Sequence, residues 1–319
     1  MRLLTHQCRT VLYLVATTNL AFVLPARANI VITPTFEASI TSDPNSAAII
    51  STINQAISFY ESNITNSIIV SMDFGEMGTG LGQSSTFIGT IGYSQYLSAL
   101  QGNSSGDAVD LSALASLPAG PNNPVNGDLN IVLTTANLRA LGINAVPPGP
   151  DSTVTVNTSI TNYPGMAFDP SKYSLLAVIE HEMDEGLGLG SHLDSGSTTG
   201  AIRVEDLFRY SANGVRSFTT SSGATAYLSV DGGLTDLIGF NQSGPPGGAD
   251  YGDWASSGTP HVQDAFGTPG ANPVFGVEQT ALDVIGYNFS SPTPEPSTLW
   301  LLAVGTVAVL ARARRSQQR

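Results

Sequence analysis

Apolar residues recur one helical turn apart at Ile49, Ile53, Ile57 and Tyr60 within PNSAAIISTINQAISFYESNI, and this spacing predicts a helix. SIIVSMDF then reads as a strand, as do LNIVLT and STVTVNTSI, whereas LSALASL and TANLRALG read as short helices. Between about Pro170 and Gly188, the residues Leu175, Leu176, Ile179, Met183 and Leu187 fall on one arc of a helical wheel, so this stretch predicts a core-facing helix. Asp169 is its expected cap, with Pro170 in the first turn. Past Gly200 the periodicity weakens into the short β-like runs ATAYLSVDGG and LTDLIGF and the glycine-rich NQSGPPGGADYGDW. VEQTALDVIGY reads as a closing helix. No repeat of fixed period is present. The expectation is an α+β chain: a mixed sheet with helices, one conspicuous helix, then an irregular C-terminal half.

The two ends of the chain change the picture. Residues 1–28 hold two arginines in the first nine positions, the apolar run VLYLVATTNLAFVL and an Ala-x-Ala ending, the pattern of a secretory signal peptide cut after Ala28 by signal peptidase. The run is shorter than the roughly 20 residues a membrane-spanning helix needs. Residues 291–319 place Pro294-Glu295-Pro296 before the apolar stretch Leu299 to Ala311, then Arg312, Arg314 and Arg315, which favour the cytoplasmic side. Residues 29–290 remain as one domain.

Charge then narrows the partners. Seven of the twelve basic residues are arginines of the two ends, leaving five against 25 acidic residues, Glu295 included, for a formal charge of −20. Such a surface repels phosphate backbones and excludes nucleic acid as a partner, while tolerating divalent cations. The single cysteine, Cys8, lies in the signal segment, so the exported protein has no disulfide.

Candidate chemistry sits in AVIEHEMDEGLGLGSHLD, residues 177–194, with five carboxylates and two of the chain's four histidines. His181, Glu182 and Glu185 fall opposite the apolar arc, because i and i+4 share a helix face. Glu180 with Asp184, and Glu182 with Glu185, are like-charge pairs that cost about 0.2–0.5 kcal/mol each in water. A bound cation or a proton would relieve them. His-Glu-x-x-His on a helix supplies two metal ligands and a glutamate beside a metal-bound water. Here Glu185 stands where the second histidine would be, and zinc accepts a carboxylate among three protein ligands. Gly188 then lets the chain turn, and His192 follows.

This stretch resembles the zincin metalloproteases and, among them, the metzincin pattern, with Ser191 in the slot of the third histidine and no Met-turn. The C-terminal segment resembles the PEP-CTERM sorting signal of exopolysaccharide-producing, Gram-negative-type bacteria. From FEASITSDPNSAAIISTINQAISFY through DLFRYSANGVRSF to ALDVIGY, the chain is similar to PEP-CTERM surface proteins labelled as metalloproteases with a His-Glu-x-x-Glu core. The resemblance implies a zincin-like, metzincin-related domain carrying Zn2+, a protein or peptide substrate, and transient inner-membrane anchoring. It also implies processing by an exosortase and a place at the cell surface near an exopolysaccharide matrix. His181, Glu185 and His192 are then the expected metal ligands, with Asp194, Asp206 and His261 in reserve, and Glu182 is the general base. Replacing an imidazole by a carboxylate weakens zinc's acidity and shifts preference toward calcium or manganese. The alternative is therefore a non-catalytic, exopolysaccharide-associated surface protein with a degenerate or calcium-binding site.

Two further stretches carry weaker signals. Asp231, Asp236, Asp250 and Asp253 sit among glycines, where turns are the first reading and structural Ca2+ the second. RVEDLFRYSANGVRSF gathers Arg203, Arg209 and Arg216; a structural ion-pair network is the default there. The other readings pair Arg209 with a motif carboxylate, or use Tyr210 to stabilise an oxyanion.

Overall fold

A computed structural model describes residues 29–244, 249–256 and 258–290; the expected signal segment and sorting segment lie outside the described residues. The chain runs β1 (Val31–Phe36), α1 (Ala38–Thr41), α2 (Ser46–Asn63), β2 (Ile69–Glu76), β3 (Gly82–Thr86), β4 (Ile88–Gly92), α3 (Tyr93–Asn103) and α4 (Ala108–Ser116). It continues with β5 (Asn130–Thr134), α5 (Thr135–Ala140), β6 (Ser152–Val156), β7 (Thr161–Asn162), β8 (Tyr173–Ser174) and α6 (Leu175–Leu187). The C-terminal part holds β9 (Ile202–Arg203), β10 (Arg209–Ala212), β11 (Val215–Arg216), β12 (Tyr227–Leu228), β13 (Ile238–Gly239) and α7 (Val277–Val284). The architecture is mixed α+β, and among the described residues no helix is long and apolar enough to cross a membrane.

The main sheet has the order β1-β2-β6-β3. β1 and β6 lie parallel to β2, and β3 runs antiparallel to β6 as an edge strand. The parallel β1–β2 pair is joined through α1 and α2, as a parallel connection requires. Period-2 alternation in β2 turns Val70, Met72 and Phe74 inward. α6 lies against β3, β6 and α2, and Leu175, Ile179, Met183 and Leu187 are fully buried. β4, β5 and β9 make a second sheet, and β11-β10-β12-β13 make a third of very short strands.

One boundary differs from the sequence expectation. α6 begins at Leu175, and its cap is Ser174, whose hydroxyl accepts the Ala177 N–H. Asp169 instead closes a turn on Ser171, and β8 comes between that turn and the helix. β1, β3, β4 and α3 were not legible as elements in the pattern, because their faces are half exposed and polar residues interrupt them.

Candidate metal centre

α6 ends where the sequence pattern expects, at Gly188, whose φ of 141° only glycine adopts readily. Its buried position comes from its composition, since even Glu180, Glu182 and Asp184 are buried. On one side Asp184 Oδ1 accepts the Tyr60 hydroxyl at 2.8 Å. Burial, with the charge of Glu278, raises Glu180 to about 7 and holds Asp184 well above the usual carboxylate range. The other side opens into a cavity of about 790 Å³ whose floor includes His181, Glu182 and Glu185.

His181 Nε2 lies 3.7 Å from Glu185 Oε1 and 3.7 Å from Asp253 Oδ1, and one donor atom from each of the three residues lies within 4.8 Å of the others. The opposite ring nitrogen, Nδ1, is 3.0 Å from the Val262 carbonyl. A carbonyl can only accept, so Nδ1 carries a proton and Nε2 is the nitrogen that faces the carboxylates. Ser84, on the edge strand β3, donates to Glu185 Oε2 at 2.6 Å, and Gln263 Nε2 donates to Asp253 Oδ1 at 3.1 Å. Ser84 thus holds the Glu185 oxygen turned away from His181, as partners do in protein metal sites, whereas Gln263 sits on the Asp253 oxygen that faces the imidazole, 3.4 Å from His181 Nε2. Zinc–ligand distances of about 2.0–2.2 Å in a tetrahedron set neighbouring donors roughly 3.3–3.6 Å apart, so small movements fit these three donors to a divalent ion.

The electrostatics express the same crowding. Burial alone would lower the His181 pKa, but Asp253, Glu185 and Glu182 outweigh it and hold the imidazole well above its ordinary value. Burial and the Glu185 charge push Glu182 well up. Asp253 is raised to about 8 by burial and by Glu185 and Asp250, against the opposing pull of His181. Glu185 also suffers burial, yet its bonds to His181 and Ser84 leave it below the usual range. Cationic charge at this point, whether a proton or a metal, satisfies all four groups.

The sequence-expected residues divide between this centre and elsewhere. His181, Glu182 and Glu185 come together. His192 does not join them: its Nε2 is 2.9 Å from the Thr199 carbonyl, and its ring stacks on Phe218 at 6.5 Å. Asp194 is taken up by the Ser191 and Tyr251 backbone N–H groups at 3.2 and 2.6 Å. Asp206 accepts from Ser191 Oγ, His192 N and Arg203 N at 2.5, 2.9 and 3.0 Å. Both carboxylates fasten the bend after α6 and lie outside the cluster. His261 lines the cavity, and its buried Nδ1 has no partner among the described residues. Tyr210 is buried under the Arg216 guanidinium, 4.6 Å from its ring centroid, and does not line the cavity. Arg209 pairs with no motif carboxylate; its guanidinium donates to the Tyr251 and Asn241 carbonyls and covers Phe240.

Sequence reasoning missed the third donor. Asp253 was one of four aspartates read as turn formers, a role that Asp231 does take through Ser229 and Thr235. What carries Asp253 to His181 is a close backbone approach. A Cβ at Gly252 would collide with Gly190 and Ser191, so only glycine allows this loop to lie on the bend after α6. The alternation of Asp and Gly in GGADYGDW is the signal that was available.

Among known proteins, no curated protein and no solved structure matches the chain. The model of the PEP-CTERM protein-sorting motif matches residues 292–315. The chain therefore carries the signal of an exported protein sorted to the cell surface and processed by an exosortase.

Proposed function

We propose that this protein is a surface-directed, zinc-dependent endopeptidase with a zincin-like domain, in which His181, Glu185 and Asp253 hold the metal. The observation that supports this reading is the convergence of those three donors beside Glu182 on the floor of a cavity bordered by an edge strand. A divalent ion held there supplies Lewis acidity, polarising a peptide carbonyl and acidifying water.

The remaining steps belong to the chain's own groups. A peptide laid along β3 meets backbone that is paired only to β6, so the free edge at Gly82, Gln83 and Ser84 can align it by strand addition. Glu182 takes a proton from the attacking water and delivers it to the leaving amine. Its raised proton affinity suits a group that must hold that proton between the two transfers. His261 lines the cavity, and an imidazole N–H turned toward it would donate to the developing oxyanion. Leu81, Val178 and the half-exposed Phe266 give the cavity an apolar wall for a substrate side chain.

A second reading draws on the donor set itself. One imidazole and two carboxylates are more oxygen-rich than the usual zinc set and favour calcium or manganese in a non-catalytic surface protein. Metal analysis of the purified exported chain, paired with casein cleavage, separates the two. The peptidase carries about one zinc per chain, loses it with His181→Ala, and loses chelator-sensitive cleavage with Glu182→Gln while keeping the zinc. A chain that carries calcium alone, or cleaves equally well as Glu182→Gln, is not this enzyme.

A further inference from the structure

Away from the His181 cavity, two distant parts of the chain bring three aspartates together. Asp107 caps α4, its Oδ1 accepting the N–H groups of Val109 and Asp110 at 2.9 and 3.0 Å. Asp110, in the first turn, holds Ser105 Oγ and Gly106 N on its Oδ2 at 2.7 and 3.0 Å. Asp283 comes from the last turn of α7, which packs on α4. The three offer one oxygen each, all within 4.8 Å of one another.

Acidic residues gather on many surfaces without consequence; Asp283 makes this group different. It is only 5% exposed, and its Oδ1 accepts no hydrogen bond among the described residues. The charges that act on it most strongly, those of Asp110 and Asp107, have its own sign. The Phe289 backbone N–H serves the carboxylate, but a buried Oδ1 without a donor, beside two further carboxylates, is unfavourable unless a cation or a proton completes it.

We propose that Asp107, Asp110 and Asp283 bind a calcium ion that fastens the α4 cap to α7. All three donors are hard oxygens, and calcium takes such oxygens at about 2.3–2.6 Å in a flexible geometry. Magnesium, at about 2.0–2.1 Å, requires a tighter octahedron. Asp107 is only partly buried, so water reaches the ion from its side and fills the remaining positions.

The residues are separate from those of the cavity, so a thermal melt can address them alone. The exported chain carrying His181→Ala is melted in chelator, in about 5 mM calcium chloride and in the same concentration of magnesium, a range suited to extracellular calcium sites. Calcium is expected to raise Tm by at least about 2 °C, with magnesium giving less than half of that. Asp283→Asn and, separately, Asp107→Asn abolish the rise, whereas Asp231→Asn leaves it. Asp107→Asn keeps the α4 cap, because asparagine caps as well as aspartate. In chelator, Asp283→Asn melts no lower than its parent, since it removes repulsion. If His181→Ala does not fold, the same comparison is made on the unsubstituted chain with and without Asp107→Asn. A parent that shows no calcium-dependent rise, or a rise that survives both substitutions, overturns the site, and an equal response to magnesium overturns the choice of ion.

Discussion

In the proposed zinc site Asp253 takes the ligand role that spacing alone would give His192, and side-chain replacement distinguishes the two directly. Asp253→Asn keeps the shape but removes a donor charge, so zinc affinity should fall by more than the roughly 10–100-fold lost with a mere outer partner. His192→Ala should leave zinc content unchanged, because its imidazole serves the Thr199 carbonyl and the Phe218 ring. Competition with a chelating dye reads both. Gly82 offers a finer test. A Cβ there would strike Glu182 Oε1 and Val178 Cγ1, so Gly82→Ala should displace the base while sparing the metal ligands. Turnover of the proposed peptidase should then drop by at least about tenfold, in keeping with the cost of small misplacements, with the zinc content of the proposed site unaltered. His181, Glu182 and Glu185 were legible in the sequence because helical spacing is local and fixes which side chains share a face. Asp253 was not, since its position depends on Gly252 meeting Gly190 across the fold.

α6 carries three of the four chemical groups, and its own stability follows local rules. Ser174→Ala removes the hydroxyl that accepts the Ala177 N–H and should destabilise the protein by about 0.5–1 kcal/mol. Asp169→Ala should leave α6 intact, because Asp169 caps only the preceding turn. Denaturant titration of the two variants separates a helix starting at Leu175 from one starting at Pro170. The apolar arc from Leu175 to Leu187 identified the helix, but not its first residue. A cap is a matter of hydrogen bonding, and several Ser and Asp residues upstream could serve equally well on paper. The edge strand β3 was hidden for a related reason. GQSST has no apolar alternation, and only pairing with β6 makes it a strand.

Among the described residues buried carboxylates outnumber buried cations, and this sets the response to pH. Burial raises Glu180 to about 7 and Asp253 and Asp283 to about 8, and it also lifts Glu182, Asp184 and Glu205. A carboxyl group with a raised folded-state pKa binds more protons folded than unfolded between its two pKa values, so stability falls as pH rises through that window. The metal-free protein should therefore melt progressively lower from about pH 4.5 to about pH 8, and added divalent ions should reverse much of the loss at the upper end. Asp151, held low by hydrogen bonds from Arg139 and Thr135 against the opposing effect of burial, works the other way below about pH 4, but it is one group against many. A melting temperature that stays flat or rises across pH 4.5–8 would refute this balance. What could be read from residue order alone was whatever depends on near neighbours: the α+β character, the helix with His181 and Glu185 one turn apart, the acid excess, and the sorting signal at the C-terminal end. The partners of those residues came only with the folded chain. Asp253 closing the centre, His192 turned away from it, Ser84 on an edge strand and Asp283 meeting Asp107 all join segments far apart in sequence. No local periodicity records a contact that two glycines or two packed helices create at a distance.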